Sequence, residues 1–410
     1  MNEIVLGDNL TSLRKLADES IDLVYLDPPF NSGRDYSHDD GCTIEVAYVD
    51  TWAWGPEAEA SLEDAARRYT SGSPKRAMDF LVSVRDVLAN DTMSYLTMMA
   101  PRLIELHRVV KNTGSLYLHV DPSASHYLKI LLDLIFGERN FRAEVIWKRS
   151  SAHNNARRPG PLHDVIFFYS KSDNYTWNPT YHEYSKEYPQ EYDGHDAGRM
   201  WGKRQLTGQG LRGGDSGKVW NHYDPSKSGR HWAISNNLRK EYARLKGEPL
   251  SGPLLHQLDK LNEAGFIIAP QKGALPYYKH FIEPHGTPLQ DVWTDIAHVG
   301  SRKKEYVQFE GQKPIALLSR IIQASSNPGD LVLDPFLGSG TTAVAAEKLG
   351  RNWLGFELSD TTGEIAKTRL SVETTTVAPI ERGAADRFYE EQESLRIQQE
   401  VFELATSDLE

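Results

Sequence analysis

The stretch Asp27-Pro28-Pro29-Phe30 constrains this chain most. It follows the apolar run Ile21-Asp22-Leu23-Val24-Tyr25-Leu26, whose length and composition predict a buried parallel strand. Pro28 and Pro29 have fixed φ and no N–H, so a hydrogen-bonded ladder cannot continue through them. The strand must end in a stiff loop that presents a carboxylate, free carbonyls and a flat ring at one point. Open α/β sheets take their ligands at the carboxyl ends of strands. Acceptors beside an aromatic ring suit a planar ligand that carries an amino group.

A second stretch, Asp330-Leu331-Val332-Leu333-Asp334-Pro335-Phe336-Leu337-Gly338-Ser339-Gly340-Thr341-Thr342, predicts another strand, a glycine turn and an Ala-rich helix. Gly338 and Gly340 would let backbone approach a ligand closely. No Gly-Lys-Ser/Thr follows, so this is not a Walker phosphate loop, and the third glycine of the dinucleotide fingerprint is missing. Alone, the stretch is weak evidence and also compatible with a purely structural turn.

Taken together, the two stretches resemble the amino-methyltransferases of DNA. Asp27-Pro28-Pro29-Phe30 is similar to their catalytic motif, and Asp334-Pro335-Phe336-Leu337-Gly338-Ser339-Gly340-Thr341-Thr342 to their cofactor loop. The catalytic motif comes first here, the permuted order of the β class. The resemblance extends to Gly7-Asp8-Asn9, Arg108 to Lys111, Gly114 to Asp121, Phe136 to Phe141 and Gly311 to Pro314. It covers roughly residues 1–170 and 291–372, and is nearest to modification subunits of type III restriction systems and solitary relatives. It implies an α/β, Rossmann-like fold dependent on S-adenosylmethionine, circularly permuted, with an inserted target-recognition domain. It also implies double-stranded DNA as a partner, and allows a homodimer or a restriction subunit on a separate chain.

Composition bounds these expectations. At 410 residues, 39% hydrophobic and 25% charged, the chain can bury a large core. No apolar run approaches a membrane span, and the opening Met1-Asn2-Glu3 does not read as a signal peptide, so a cytoplasmic location is expected. Cys42 is the sole cysteine, which excludes an intramolecular disulfide and a cysteine-cluster metal site. The net charge of −11 looks wrong for a nucleic-acid partner. Its distribution matters more: residues 148–246 hold 17 Lys and Arg against 10 Asp and Glu, whereas residues 381–410 hold 3 Arg against 9 acids.

Along the chain, residues 1–150 predict strands, helices and the long loop 31–55, within one catalytic half. Strands at 115–120, 143–147 and 165–169 with a helix at 124–136 predict a parallel sheet. Residues 151–290 are loop-rich, with aromatic and basic neighbours such as Trp201-Gly202-Lys203-Arg204, Trp220-Asn221-His222-Tyr223 and Arg230-His231-Trp232. That interleaving suits phosphate contact with base stacking, or a small aromatic core. Residues 291–375 resume the sheet as a cofactor-binding half, and 376–410 predict an acidic helical tail. His119-x-Asp121 has a metal-like spacing, but two ligands make no site and a hydrogen-bonded strand-end histidine explains it better.

By resemblance, Asp27 and the Pro28 carbonyl accept the two amino hydrogens of a base, Pro29 stiffens the motif and Phe30 stacks on the ring. Such a base must be flipped from the duplex, at a cost of a few kcal/mol. The cofactor set would be Asp8 near the adenine amino group, Lys313 and Pro314 beside the cofactor, Asp334 and Phe336 at the strand end, and Gly338, Ser339, Gly340, Thr341 and Thr342 at the methionine portion. Glu357 ends a strand 23 residues after Asp334, the place of a carboxylate that grips ribose hydroxyls. Asp8 also reads as a helix N-cap. Residues 309–312 depart from the family's longer pattern, so the resemblance assigns them no contacts. Asp at the first motif position favours N6 of adenine over N4 of cytosine. An RNA or small-molecule methyltransferase and a non-catalytic DNA-binding module are the alternatives.

Overall fold

The computed structural model describes residues 2–29, 36–39, 44–48, 52–88, 90–150, 157, 159–182, 194–196, 199–270, 274–281, 287–300, 303–307, 309 and 311–375. The chain divides into two compact units, residues 1–180 with 289–410, and residues 181–288.

The first unit is built on an eight-stranded sheet. Its strands are β1 (Asn2–Leu6), β2 (Ile21–Leu26), β3 (Val110–Val120), β4 (Phe141–Lys148), β5 (His163–Ser170), β6 (Val292–Trp293), β7 (Leu331–Asp334) and β8 (Asn352–Glu357). Their spatial order is β1-β8-β7-β2-β3-β5-β4-β6. Helices α1 (Asn9–Leu13), α2 (Pro56–Arg68), α3 (Gly72–Leu88), α4 (Asp91–Val109), α5 (Pro122–Phe136), α6 (Ile315–Ser325), α7 (Thr341–Lys348) and α8 (Asp360–Thr375) complete it.

Strand β2 shows why the sheet is central. Alternate side chains go to opposite faces, yet both faces are apolar: Val24 and Leu26 join one core with α4 and α5, and Leu23 and Tyr25 join another with α6 and α7. A strand hydrophobic on both faces needs a helical layer on each side. From β2 the chain runs through α2–α4 to β3 on one side; from β7 it runs through α7 to β8 on the other. Strands β2 and β7 are adjacent and parallel, with Leu23 opposite Val332 and Val24 opposite Leu333. Their carboxyl ends therefore form the topological switch point where open sheets leave a crevice.

Two expectations need correction. The sheet is mixed, because β5 runs antiparallel to both β3 and β4. Among the described residues no crossover helix separates β4 from β5, and a chain that turns back without one pairs antiparallel. The long loop expected at 31–55 contains paired strands at Tyr36–Asp39 and Ile44–Tyr48. The strand expected at 165–169, early in the 151–290 region, is β5 and pairs in the sheet, and the second compact unit spans residues 181–288. The acidic tail 376–410 lies outside the described residues.

The second unit has a four-stranded antiparallel sheet of residues 267–268, 277–281, 199–205 and 194–196, with helices at Asn236–Lys246 and Leu254–Glu263. Trp220 and Trp232 are buried in its core with Leu206, Leu238 and Phe266. Their indole N–H groups donate to Asp259 and to the Lys218 carbonyl. These two rings are core and cannot stack on bases. Lys203, Arg212, Lys218 and Lys227 remain exposed.

Candidate active site at the switch point

Four adjacent strands each end in a carboxylate. In spatial order the ends of β1, β8, β7 and β2 carry Asp8, Glu357, Asp334 and Asp27. All four line one cavity of about 540 Å³, within the range of a small-molecule or cofactor site. Pro29, Lys313, Phe336, Gly338, Ser339, Thr341 and Thr342 line it as well. Pro28 is buried beneath the loop, and Pro314 and Gly340 are the N-caps of α6 and α7, without facing the cavity. Phe30 lies outside the described residues.

Asp27 is the most informative of the four. Its Oδ2 accepts from the Lys313 ammonium. Its Oδ1 is buried and has no hydrogen-bond partner among the described residues. A buried acceptor left without a donor costs about 1–3 kcal/mol, so the site is poised for a ligand N–H.

Asp334 has a different task. Oδ1 accepts from the Phe336 N–H at 2.9 Å and Oδ2 from the Thr342 hydroxyl at 2.5 Å, which folds the glycine loop back over the strand end. Burial pushes its carboxyl up to about 7; the Thr342 and Phe336 bonds oppose this and the charges of Asp27 and Glu357 add to it. A carboxyl with a folded value above its unfolded one makes the native state bind the extra proton. Its contribution to stability is present at low pH and is lost as pH rises through about 7. Asp334→Asn should therefore gain stability relative to the parent chain between pH 5 and 8. Denaturant unfolding of both proteins at the two pH values checks this; a pH-independent difference would place the proton elsewhere.

Glu357 accepts the Gly338 N–H at 2.9 Å and the Ser359 N–H at 3.0 Å, and burial raises its carboxyl above the usual range. An ionised carboxylate has about four lone-pair sites, so acceptor capacity remains for ligand hydroxyls. Asp8 is the N-cap of α1, taking the Thr11 N–H at 2.9 Å. It also pairs with Arg102 at 2.7 Å. Burial works against its charge, but the Thr11 bond and Arg102 outweigh burial and hold the carboxyl below the ordinary value. Arg102 Nε reaches Asn9, whose amide donates to the Pro335 carbonyl, so α1, α4 and the glycine loop are tied together.

Several site residues escape sequence reasoning. Tyr25 lines the cavity on the same strand face as Asp27, two residues on. Its hydroxyl bonds His119 Nδ1 at 2.9 Å, and His119 Nε2 bonds Asp164 at 3.1 Å, all three buried. His119 is thus the hydrogen-bonded histidine expected near the strand end, and Asp121 caps α5. No metal-holding cluster occurs among the described residues. Trp52, Met98, Arg102 and Phe309 also line the cavity. The alternation of β2 could have revealed Tyr25; Arg102, 94 residues from Asp8, carries no local signal.

Comparison with known proteins agrees with this geometry. The family model for DNA methylases of the N6_N4 type matches residues 21–368. The chain is 27% identical over 366 residues to the type II methyltransferase M.EcaI of Enterobacter cloacae, covering 87% of this chain and 67% of that protein. It is 27% identical over 368 residues to the StyLTI Mod subunit, part of a type III restriction-modification enzyme of Salmonella typhimurium, covering 85% of this chain and 50% of that protein. The DNA adenine methyltransferase YhdJ of Escherichia coli is 25% identical over 371 residues, covering 90% and 82%. With the Asp27 loop, the glycine loop and seven of the eight sheet strands spanned by one family match, the chain belongs to the N6_N4 family of DNA methylases.

Proposed function

We propose that this chain transfers the methyl group of S-adenosylmethionine to an exocyclic amino nitrogen of a flipped base in duplex DNA, with N6 of adenine as the target. The observation that carries the reading is the unpartnered buried acceptor, Asp27 Oδ1, in the same cavity as the Gly338–Thr341 loop.

The residues fit the cofactor. Glu357 offers acceptors for a ribose diol, and the carboxylate row suits a ligand with cationic centres. A Cβ at Gly340 would meet Ala366 at 3.0 Å, and Gly340 has φ +78°, so the loop keeps its tight approach only with glycine there. When bound, the cofactor supplies an electrophilic methyl group on a sulfonium.

The amino nitrogen of a base is a weak nucleophile, because its lone pair is conjugated with the ring. Asp27, held in orientation by Lys313, accepts one amino hydrogen through Oδ1, and the Pro28 carbonyl accepts the other. Both draw the nitrogen toward tetrahedral geometry, and the positioning lowers the barrier. Asp27 does this as a hydrogen-bond acceptor. The rigid prolines keep the two acceptors in place. The adenine target rests on the Asp at the first motif position and on the likeness to YhdJ.

Incubating duplex DNA with methyl-labelled cofactor and analysing the nucleosides tests this. Label in N6-methyldeoxyadenosine is expected; label in N4-methyldeoxycytidine would correct the target, and DNA binding without transfer would support a non-catalytic module instead. Glu357→Ala should weaken cofactor binding by about 10–100-fold, the loss of charge-assisted bonds worth roughly 1.5–3 kcal/mol. Calorimetry with S-adenosylhomocysteine measures it, and unchanged affinity would remove Glu357 from the cofactor set. On the likeness to the StyLTI Mod subunit, a restriction subunit on a separate chain is the further partner. The present chain, lacking a Walker phosphate loop, should show no ATP-driven cleavage alone.

A further inference from the structure

Behind the glycine loop lies a charged side chain that the proposed chemistry does not use. Arg369, on α8, is 3% exposed. Its Nη1 donates to the Thr341 hydroxyl oxygen at 2.8 Å, to the Ser339 carbonyl at 3.2 Å and to the Ser339 hydroxyl at 3.3 Å. Its Nε and Nη2 are buried and have no hydrogen-bond acceptor among the described residues. Glu373 and Glu305 act on it only through space, and burial, which pulls its value down, outweighs them.

The packing that places it there is specific. Gly340 has no side chain, which lets Ala366 of α8 sit against the loop. Arg369 is three residues further along the same helix and so on the same face. The guanidinium is thereby held directly under Ser339 and Thr341, and both of those residues line the cavity. The N-terminus of α7 begins at Thr341 and adds its own positive potential at the same point. A buried cation with two unused donors is costly unless an anion compensates it.

The rest of the cavity rim carries carboxylates, with Lys313 committed to Asp27 and Arg102 to Asp8. The loop end is therefore the place for an anionic group. S-Adenosylmethionine has one such group, the carboxylate of its methionine portion. We propose that Arg369 is a positioning residue for that carboxylate, acting through Ser339 and Thr341 to hold the loop and to make its cavity side electropositive. This rests on the methyltransferase reading of the same site.

The test compares two ligands by calorimetry: S-adenosylhomocysteine, which keeps the amino-acid end, and 5′-methylthioadenosine, which lacks it. Arg369→Met should weaken the first by about tenfold or more, the scale of a lost charge-assisted interaction, and leave the second unchanged. Arg369→Lys, which keeps the charge, should restore part of the loss. Arg369→Gln serves in place of Arg369→Met should the latter fail to fold. An equal loss for both ligands would make Arg369 a structural residue and overturn the proposal, as would undiminished binding of S-adenosylhomocysteine. A parent chain that binds neither ligand would overturn the cofactor reading itself, and this proposal with it.

Discussion

Asp27→Ala is expected to lower methyl transfer by about 10³-fold or more, while cofactor binding changes by no more than a few fold. Removal of one preorganised hydrogen-bond partner at a reacting centre costs roughly 10²–10³, and Asp27 also anchors Lys313. The substitution leaves the Lys313 ammonium without its carboxylate, at the point where a cationic cofactor must bind. The small change in cofactor affinity comes from this second effect. Single-turnover transfer and calorimetry with S-adenosylhomocysteine separate the two. A variant that retains transfer would remove Asp27 from the reaction; one that loses both transfer and cofactor binding would make it structural.

Exchange of residues 181–288 for the corresponding unit of a relative should change the methylated sequence completely while leaving the chemistry intact. The first unit contains the whole cavity, from Asp8 to Glu357. The second has its own core around Leu206, Trp232 and Phe266, and exposes Lys203, Arg212, Lys218 and Lys227. A unit with its own core can be replaced without disturbing the site, and basic exposed side chains are suited to phosphate contact. Sequencing of modified bases in DNA treated with the chimera checks this. An unchanged recognition sequence would assign target reading to the first unit.

The site was legible in the sequence where it is built from strand ends. Asp27, Asp334 and Glu357 each close an apolar run, and parallel strands deliver their last residues to one edge. Gly340 was expected to approach a ligand; it does not line the cavity, and its positive φ and contact with Ala366 give a packing reason for glycine there. The antiparallel β5 was not legible, because a buried strand has the same apolar run in either direction. Of the two readings open for the aromatics, the core one holds at two positions. Trp220 and Trp232 have basic neighbours, but their rings are buried and their N–H groups satisfied within the unit. Neighbours in sequence do not report which way a ring points. The Tyr25–His119–Asp164 chain and the Arg369 guanidinium depend on residues brought together from separate strands and helices, and no local pattern announces them.

The central claim is that Asp27 and the glycine loop together carry out amino-methylation of DNA. Single-molecule sequencing of host DNA after expression of the parent chain or of Asp27→Ala tests it most directly, because it reports base, atom and sequence context at once. The account predicts N6-methyladenine at one recognition sequence in cells with the parent chain and none at that sequence with the variant. No modified base with the parent chain, or the same modification with both, would contradict it.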